Sequence, residues 1–220
     1  NIAARSVVVN CVLDVSGWIM DGAVCEHSVL SGDFHIGVGA YVSNIQTLGK
    51  DLRIADKIAV QQVPIVSEAD GSEGQCVLSV IGVDDPMKLQ YTHPSARICG
   101  GSWEQLMHLA SVQPDDIWPS HIAVEDRALW NAKLFPLISI TATDYGHCLW
   151  FQDLVECSER SSDLELRELA QRWASSPRLS FSDILTAGDG NALVAWRHAL
   201  FDTHQRITAP LFHAIEPSLF

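Results

Sequence analysis

The chain has 220 residues, 47% of them hydrophobic, and a formal net charge of −13 from 14 basic and 27 acidic side chains. That is enough sequence for one large or two small domains with an ample core. The acidic surface repels phosphate backbones and excludes nucleic acid as an expected partner. No apolar run reaches membrane-spanning length and no signal peptide is visible, so no membrane partner is expected either.

The front of the chain carries a repeat. Val12, Trp18, Val24, Leu30, Ile36, Val42, Leu48, Ile54, Val60 and Val66 stand six residues apart. A period of six fits neither an α-helix nor a flat strand. It marks a hexapeptide-type parallel β-helix, in which each short strand forms one wall of a coil. The position four after each repeat residue reads Ser16, Gly22, Ser28, Phe34, Ala40 and Gln46, mostly small, as tight corners require. Beyond Leu48 this small-residue phase fades, and Ile54, Val60 and Val66 fit ordinary strands equally well.

Residues 57–66 and 75–83 read as strands, separated by the polar loop 67–74. Asp84-Asp85-Pro86 ends the second strand, since proline cannot join a central ladder. From Gly100 the period becomes helical. Ser102-Trp103-Glu104-Gln105 is a capping box, followed by the apolar face of Leu106, Met107, Leu109 and Ala110. Residues 125–135 predict a second helix stopped by Pro136. Ser162-Asp163-Leu164-Glu165 opens a third that runs to about 174. Residues 180–186 predict a short helix, and 191–208 a final one ending before Pro210. The expected class is α+β: a left-handed hexapeptide-type parallel β-helix with terminal strands over 1–96, then a mainly helical connector over 97–220. Segregated elements of this kind argue against a Rossmann sheet.

The six cysteines include no C-x-x-C pair and suggest neither a zinc site nor a disulfide framework, so a reducing cytoplasm is the expected compartment. Asp84 and Asp85 are candidate ligands for a hard cation or a substrate hydroxyl, although adjacent strand residues point to opposite faces and a polar turn explains them as well. Gly100 and Gly101 precede a helix N-terminus, a place that can hold phosphate, with Lys88 and Arg97 the nearest cations in sequence. Asn131 and Lys133 flank Ala132 and could face solvent or substrate. Trp103, Trp118 and Trp130 read as packing anchors rather than a stacking platform. No catalytic residue and no metal site is assigned.

Four segments carry a resemblance. They are Gly82-Val83-Asp84-Asp85-Pro86-Met87-Lys88, then Cys99-Gly100-Gly101-Ser102-Trp103, then Asp116-Ile117-Trp118, and finally Leu129-Trp130-Asn131-Ala132-Lys133-Leu134-Phe135-Pro136. In this order they resemble the L-fucokinase/GDP-fucose pyrophosphorylase family, also described as fucose-1-phosphate guanylyltransferases. The segment Ser180-Phe181-Ser182-Asp183-Ile184-Leu185 with Trp196-Arg197 is similar to a later helical stretch of that family. The resemblance implies a cytoplasmic salvage transferase that phosphorylates L-fucose with ATP, transfers GMP from GTP to fucose-1-phosphate, or does both. It implies magnesium and GTP or ATP for the parent enzyme, with no cofactor in this segment. The chain begins with Asn1 and is read as a piece of a longer protein. The expected partners are an adjacent nucleotidyltransferase domain and an adjacent kinase domain, with homo-oligomerisation left open. On this reading the segment is mainly a scaffold and has no turnover alone. Two other readings stay open. One is a hexapeptide acyltransferase using His27 or His35 as general base; the other is a non-catalytic assembly domain.

Overall fold

The computed structural model describes residues 1–46, 49–66, 74–154 and 164–215, with 204–215 described by backbone alone. The front is a parallel β-helix. Its first coil holds β1 (Val7–Val9), β2 (Val12–Leu13) and β3 (Trp18–Ile19), and its second holds β4 (Val24–Glu26), β5 (Val29–Leu30) and β6 (His35–Ile36). The third holds β7 (Tyr41–Ser43) and β8 (Arg53–Ile54), and β9 (Ile58–Ile65) starts the fourth. Val7 pairs with Val24 and Val24 with Tyr41, a step of 17 residues, whereas Tyr41 pairs with Ala59 and His35 with Arg53, a step of 18.

The shorter step moves the inward phase. The residues that stack inside are Val8, Cys25, Val42 and Val60 on one wall, Leu13 and Leu30 on a second, and Ile19, Ile36 and Ile54 on the third. From Leu30 onward these coincide with the six-residue repeat. Before Leu30 the repeat is one residue early: Trp18 is 50% exposed, whereas Ile19 is 1% exposed. Val12 and Val24 likewise stand beside the inward residues Leu13 and Cys25. Val66 lies beyond β9 and is exposed, and Leu48 lies outside the described residues.

The cause of the slip is a tight corner. Asn10, His27 and Asn44 occupy it in successive coils, all with positive φ (51°, 49° and 57°). Asn and His tolerate this left-handed conformation better than most residues. A second corner stack, Gly22, Gly39 and Lys57, is left-handed too. Side chains satisfy the corner backbone. The Ser28 hydroxyl accepts from Ile45 N at 3.1 Å, and the Gln62 amide oxygen accepts from Gln46 N at 2.8 Å.

One wall of the coil continues into an antiparallel sheet. β9 pairs with β10 (Gln75–Gly82), β10 with β11 (Phe135–Ser139), and β11 with β12 (Arg178–Leu179), giving seven strands in the order β1-β4-β7-β9-β10-β11-β12. Among the described residues six α-helices follow the coil: α1 (Trp103–Ala110), α2 (Pro114–Ile117), α3 (Gly146–Leu149), α4 (Leu164–Ser175), α5 (Phe181–Ala187) and α6 (Gly190–Ile215). Ser102 and Gln105 cap α1 reciprocally as expected, and Ser180 with Asp183 caps α5. The expected cap at Ser162 and the polar loop over 67–73 lie outside the described residues.

Two helix expectations are corrected. Residues 125–135 form no helix: two 3-10 turns, Val124–Asp126 and Leu129–Asn131, lead into β11. Only Phe135 of this stretch enters β11, where it pairs with Leu179, and the Asn131 side chain fixes the turns before it by accepting from Ala128 N and donating to Asp126 O. Pro136 is tolerated because the donors to the β12 side are Leu134 N and Leu137 N, so its missing N–H breaks no bond of that edge. The last helix also does not stop before Pro210, because α6 continues to Ile215. One proline removes one rung of an i→i−4 ladder, which a 26-residue helix can absorb.

The tryptophans pack as expected. Trp103 and Trp118 are buried with ring centroids 5.0 Å apart, and Tyr91 lies 4.6 Å from Trp118. Trp130 stacks on Phe181 at 6.5 Å. Trp150 and Trp173 make a further buried contact at 5.6 Å, and the Trp173 indole donates to Leu134 O at 2.6 Å.

The phase slip is testable by unfolding in guanidinium chloride. Ile19→Ala is expected to cost about 2–5 kcal/mol, and Trp18→Ala less than about 1 kcal/mol. Equal losses would contradict the assigned inward phase.

Candidate functional site

The end of the coil meets the end of the β9–β10 hairpin at a cavity of about 510 Å³. Its polar lining includes His35, Asp56, Lys57, Asp84, Asp85 and Gln152, together with the backbone of Gly100. Three of the seven residues singled out from sequence therefore come together here: Asp84, Asp85 and Gly100.

The two aspartates diverge, as adjacent residues leaving a strand should. Asp85 folds back under the end of β10. Its carboxylate accepts from Gly82 N at 2.7 Å, Cys99 N at 2.6 Å and Gly100 N at 3.2 Å. Residue 82 must lack a side chain, because a Cβ there would lie 2.6 Å from the Asp85 carboxylate oxygen. Cys99 and Gly100 both have positive φ, so the chain curls around the carboxylate before entering α1. Asp85 is thus a clamp joining the sheet to the first helix. Asp84 points outward and pairs with Lys57 at 3.3 Å, with both side chains more than 70% exposed. An ion pair so exposed contributes little to stability.

Two further polar side chains of the cavity, Asp56 and Gln152, also hold backbone. The Asp56 carboxylate accepts from Val38 N at 2.7 Å. The Gln152 amide oxygen accepts from Ala55 N at 3.1 Å, and its nitrogen donates to Arg53 O at 3.2 Å. Cys99 is buried at the same place. Burial, with Asp85 and Asp153 nearby, raises its thiol well above the usual range and keeps it protonated.

The remaining sequence candidates lie apart from this cavity. Lys88 is exposed on the loop after β10. Gly101 is buried, with Leu154 2.6 Å from where a Cβ would sit. The Asn131 side chain accepts from Trp118 Nε1 at 2.9 Å and from Ala128 N at 3.0 Å, and donates to Asp126 O at 2.9 Å. Lys133 is half-buried, and its backbone N–H donates to Ile117 O at 2.9 Å. Sequence reading did not find Lys57, Asp56 or Gln152. Each lies in an unremarkable local context, and Gln152 is 97 residues from its partner Ala55.

The histidines of the repeat separate too. His35 lines the cavity. His27 sits in the left-handed corner, where its Nδ1 accepts from the Asn10 amide at 2.9 Å. That corner is covered by α6: Arg197 Nε donates to Asn44 Oδ1 at 2.8 Å, and the Asn10 amide donates to Arg197 O at 3.3 Å. Beside it, the Glu26 carboxylate accepts from the Tyr41 hydroxyl at 2.6 Å and the Ser43 hydroxyl at 2.9 Å. The Tyr41 bond first, then that of Ser43 and the charge of Arg197, hold Glu26 below its usual range. Among the described residues, no group of three or more His, Cys, Asp or Glu could hold a metal ion, and no helix is long and apolar enough to cross a membrane.

Comparison with known proteins gives two matches. A family model for the fucose pyrophosphorylase domain matches residues 1–140. A bifunctional fucokinase/GDP-fucose pyrophosphorylase of Arabidopsis thaliana is 29% identical over 135 residues, which is 60% of this chain and 11% of that protein. The chain therefore spans about a ninth of the relative's length. No solved structure matches.

The clamp yields a direct test. Asp85→Ala leaves three amides without their acceptor and is expected to cost about 2 kcal/mol or more in denaturant unfolding. Asp84→Ala is expected to leave the midpoint essentially unchanged. The reverse order would remove Asp85 from its structural role.

Proposed function

The chain belongs to the fucose pyrophosphorylase family, and from that premise we propose that it is the coil and helical scaffold of a fucose-salvage transferase. The observation that carries the reading is the family match over residues 1–140, which spans the whole coil and all four resembling segments between Gly82 and Pro136. The transfer proposed for the parent is of GMP from GTP to fucose-1-phosphate, giving GDP-fucose. A second activity, phosphorylation of L-fucose with ATP, is proposed from the name of the Arabidopsis relative.

The scaffold role is supported by the commitments of the polar side chains. Asp85, Asp56 and Gln152 around the coil-end cavity, and Asn131 apart from it, hold backbone amides and carbonyls. Magnesium is proposed for the parent reaction, as a Lewis acid at a phosphate. Asp84 and Asp85 do not fit such an ion as a pair, since one faces Lys57 and the other is enclosed by three amides. Residues of adjacent nucleotidyltransferase and kinase domains are proposed to hold nucleotide and metal, in a cytoplasmic enzyme. Coil steps of 17 and 18 residues, close to three sixes, support a hexapeptide-type coil, read here as left-handed.

The test is GDP-fucose formation from GTP and fucose-1-phosphate, followed by chromatography. The 220-residue chain alone is expected to give no product, and a longer protein that carries it is expected to turn over. Product from the chain alone would overturn the scaffold role. No product from the longer protein, shown to be folded, would overturn the transferase assignment.

A further inference from the structure

The corner between β1 and β2 brings two thiols together. Cys11 follows the left-handed residue Asn10, and Cys25 points into the coil from β4. Their sulfurs are 3.6 Å apart, in contact between the first coil and the second. The Cys11 thiol is partly exposed and lies 3.3 Å from Val9 O and 3.4 Å from Cys25 O, whereas Cys25 is fully buried. The pair therefore has one member that a small solute can reach and one that it cannot.

We propose that Cys11 and Cys25 form a redox modification site, at which a small hydroperoxide such as hydrogen peroxide converts the two thiols to a disulfide that staples the first coil to the second. The accessible sulfur reacts first. The Cys11 thiolate attacks one peroxide oxygen, the O–O bond breaks, and the departing hydroxide takes a proton to become water. Cys11 is then a sulfenic acid. Cys25 attacks the Cys11 sulfur, the S–O bond breaks, and the leaving hydroxyl takes the Cys25 proton as a second water. Two thiols have lost two electrons, and one peroxide has been reduced to two waters.

The geometry and the electrostatics agree on the order. A disulfide needs its sulfurs at about 2.05 Å, so the 3.6 Å contact closes by a rotation of the partly exposed Cys11 side chain. The hydrogen bond from Cys25 lowers the Cys11 pKa, and the same bond with burial raises that of Cys25. Cys11 is thus the more acidic member of the pair, and Cys25 the resolving thiol. The other described cysteines lack this arrangement. Cys76, Cys99 and Cys148 are all buried, and burial pushes the Cys148 thiol up to about 12. In a reducing compartment such a bond would be transient, as reversible redox sites are.

The experiment uses the wild-type protein. It is exposed to a small molar excess of hydrogen peroxide, quenched in denaturant with an alkylating agent, and mapped by mass spectrometry without reduction. The expected product is a peptide pair linked through Cys11 and Cys25, about 2 Da lighter than the two thiol peptides and separated by dithiothreitol. The oxidised protein is expected to melt several degrees higher, because the bond closes a short loop in the unfolded chain. In Cys25→Ser, Cys11 is expected to stop at a sulfenic acid that dimedone labels. Alkylatable Cys25 beside a sulfinic or sulfonic Cys11 in wild type would overturn the proposal. So would two unmodified thiols under conditions that oxidise the half-buried methionines Met20, Met87 or Met107.

Discussion

Each coil rests on its neighbour through parallel backbone hydrogen bonds, and the corner residues decide which side chain lands on which. Asn10, His27 and Asn44 take the left-handed conformation at one corner, and Val8, Cys25 and Val42 stack beneath one another because of it. The same stack delivers β9 to the edge of the coil, where it pairs with β10 and carries the sheet onward to β11 and β12. The hairpin in turn sets Asp85 against Cys99 and Gly100, and so fixes where α1 begins. The cavity at the coil end, the clamp and the helical layer all inherit their positions from coil registry.

Coil architecture was legible from the sixth-residue apolar repeat, because three walls of about six residues leave that period wherever a wall is buried on one side. Its phase was not. Two short corners, at Asn10 and His27, drop one residue each, and a strict period of six cannot record the loss; Trp18 consequently stands outside and Ile19 inside. Helix starts were legible where a reciprocal cap existed, at Ser102 and Ser180, since that signal is local. The stretch before Pro136 was not, because its composition suits a helix, whereas side-chain contacts of Asn131 with Trp118, Ala128 and Asp126 hold it in two 3-10 turns that lead into β11.

The site divides in the same way. A carboxylate after a strand was visible at Asp84 and Asp85, and the structure gives the two neighbours opposite tasks. The acceptor role of Asp85 depends on amides 14 and 15 residues further on, and that of Gln152 on Ala55 in the coil. Nothing in the local sequence announces either. What Asp85, Asp56 and Gln152 share is direction: each is turned toward backbone, whereas Asp84 and Lys57 face each other at the surface. That arrangement supports the scaffold role proposed for this segment.

The Asp85 clamp is expected to make coil and helical layer one cooperative unit. Native-state amide hydrogen exchange measures it most directly. The amides of Cys99 and Gly100 are expected to exchange as slowly as those of Cys25, Val42 and Val60, and all are expected to open together. Free-loop exchange at Cys99 and Gly100 beside a protected coil would contradict it.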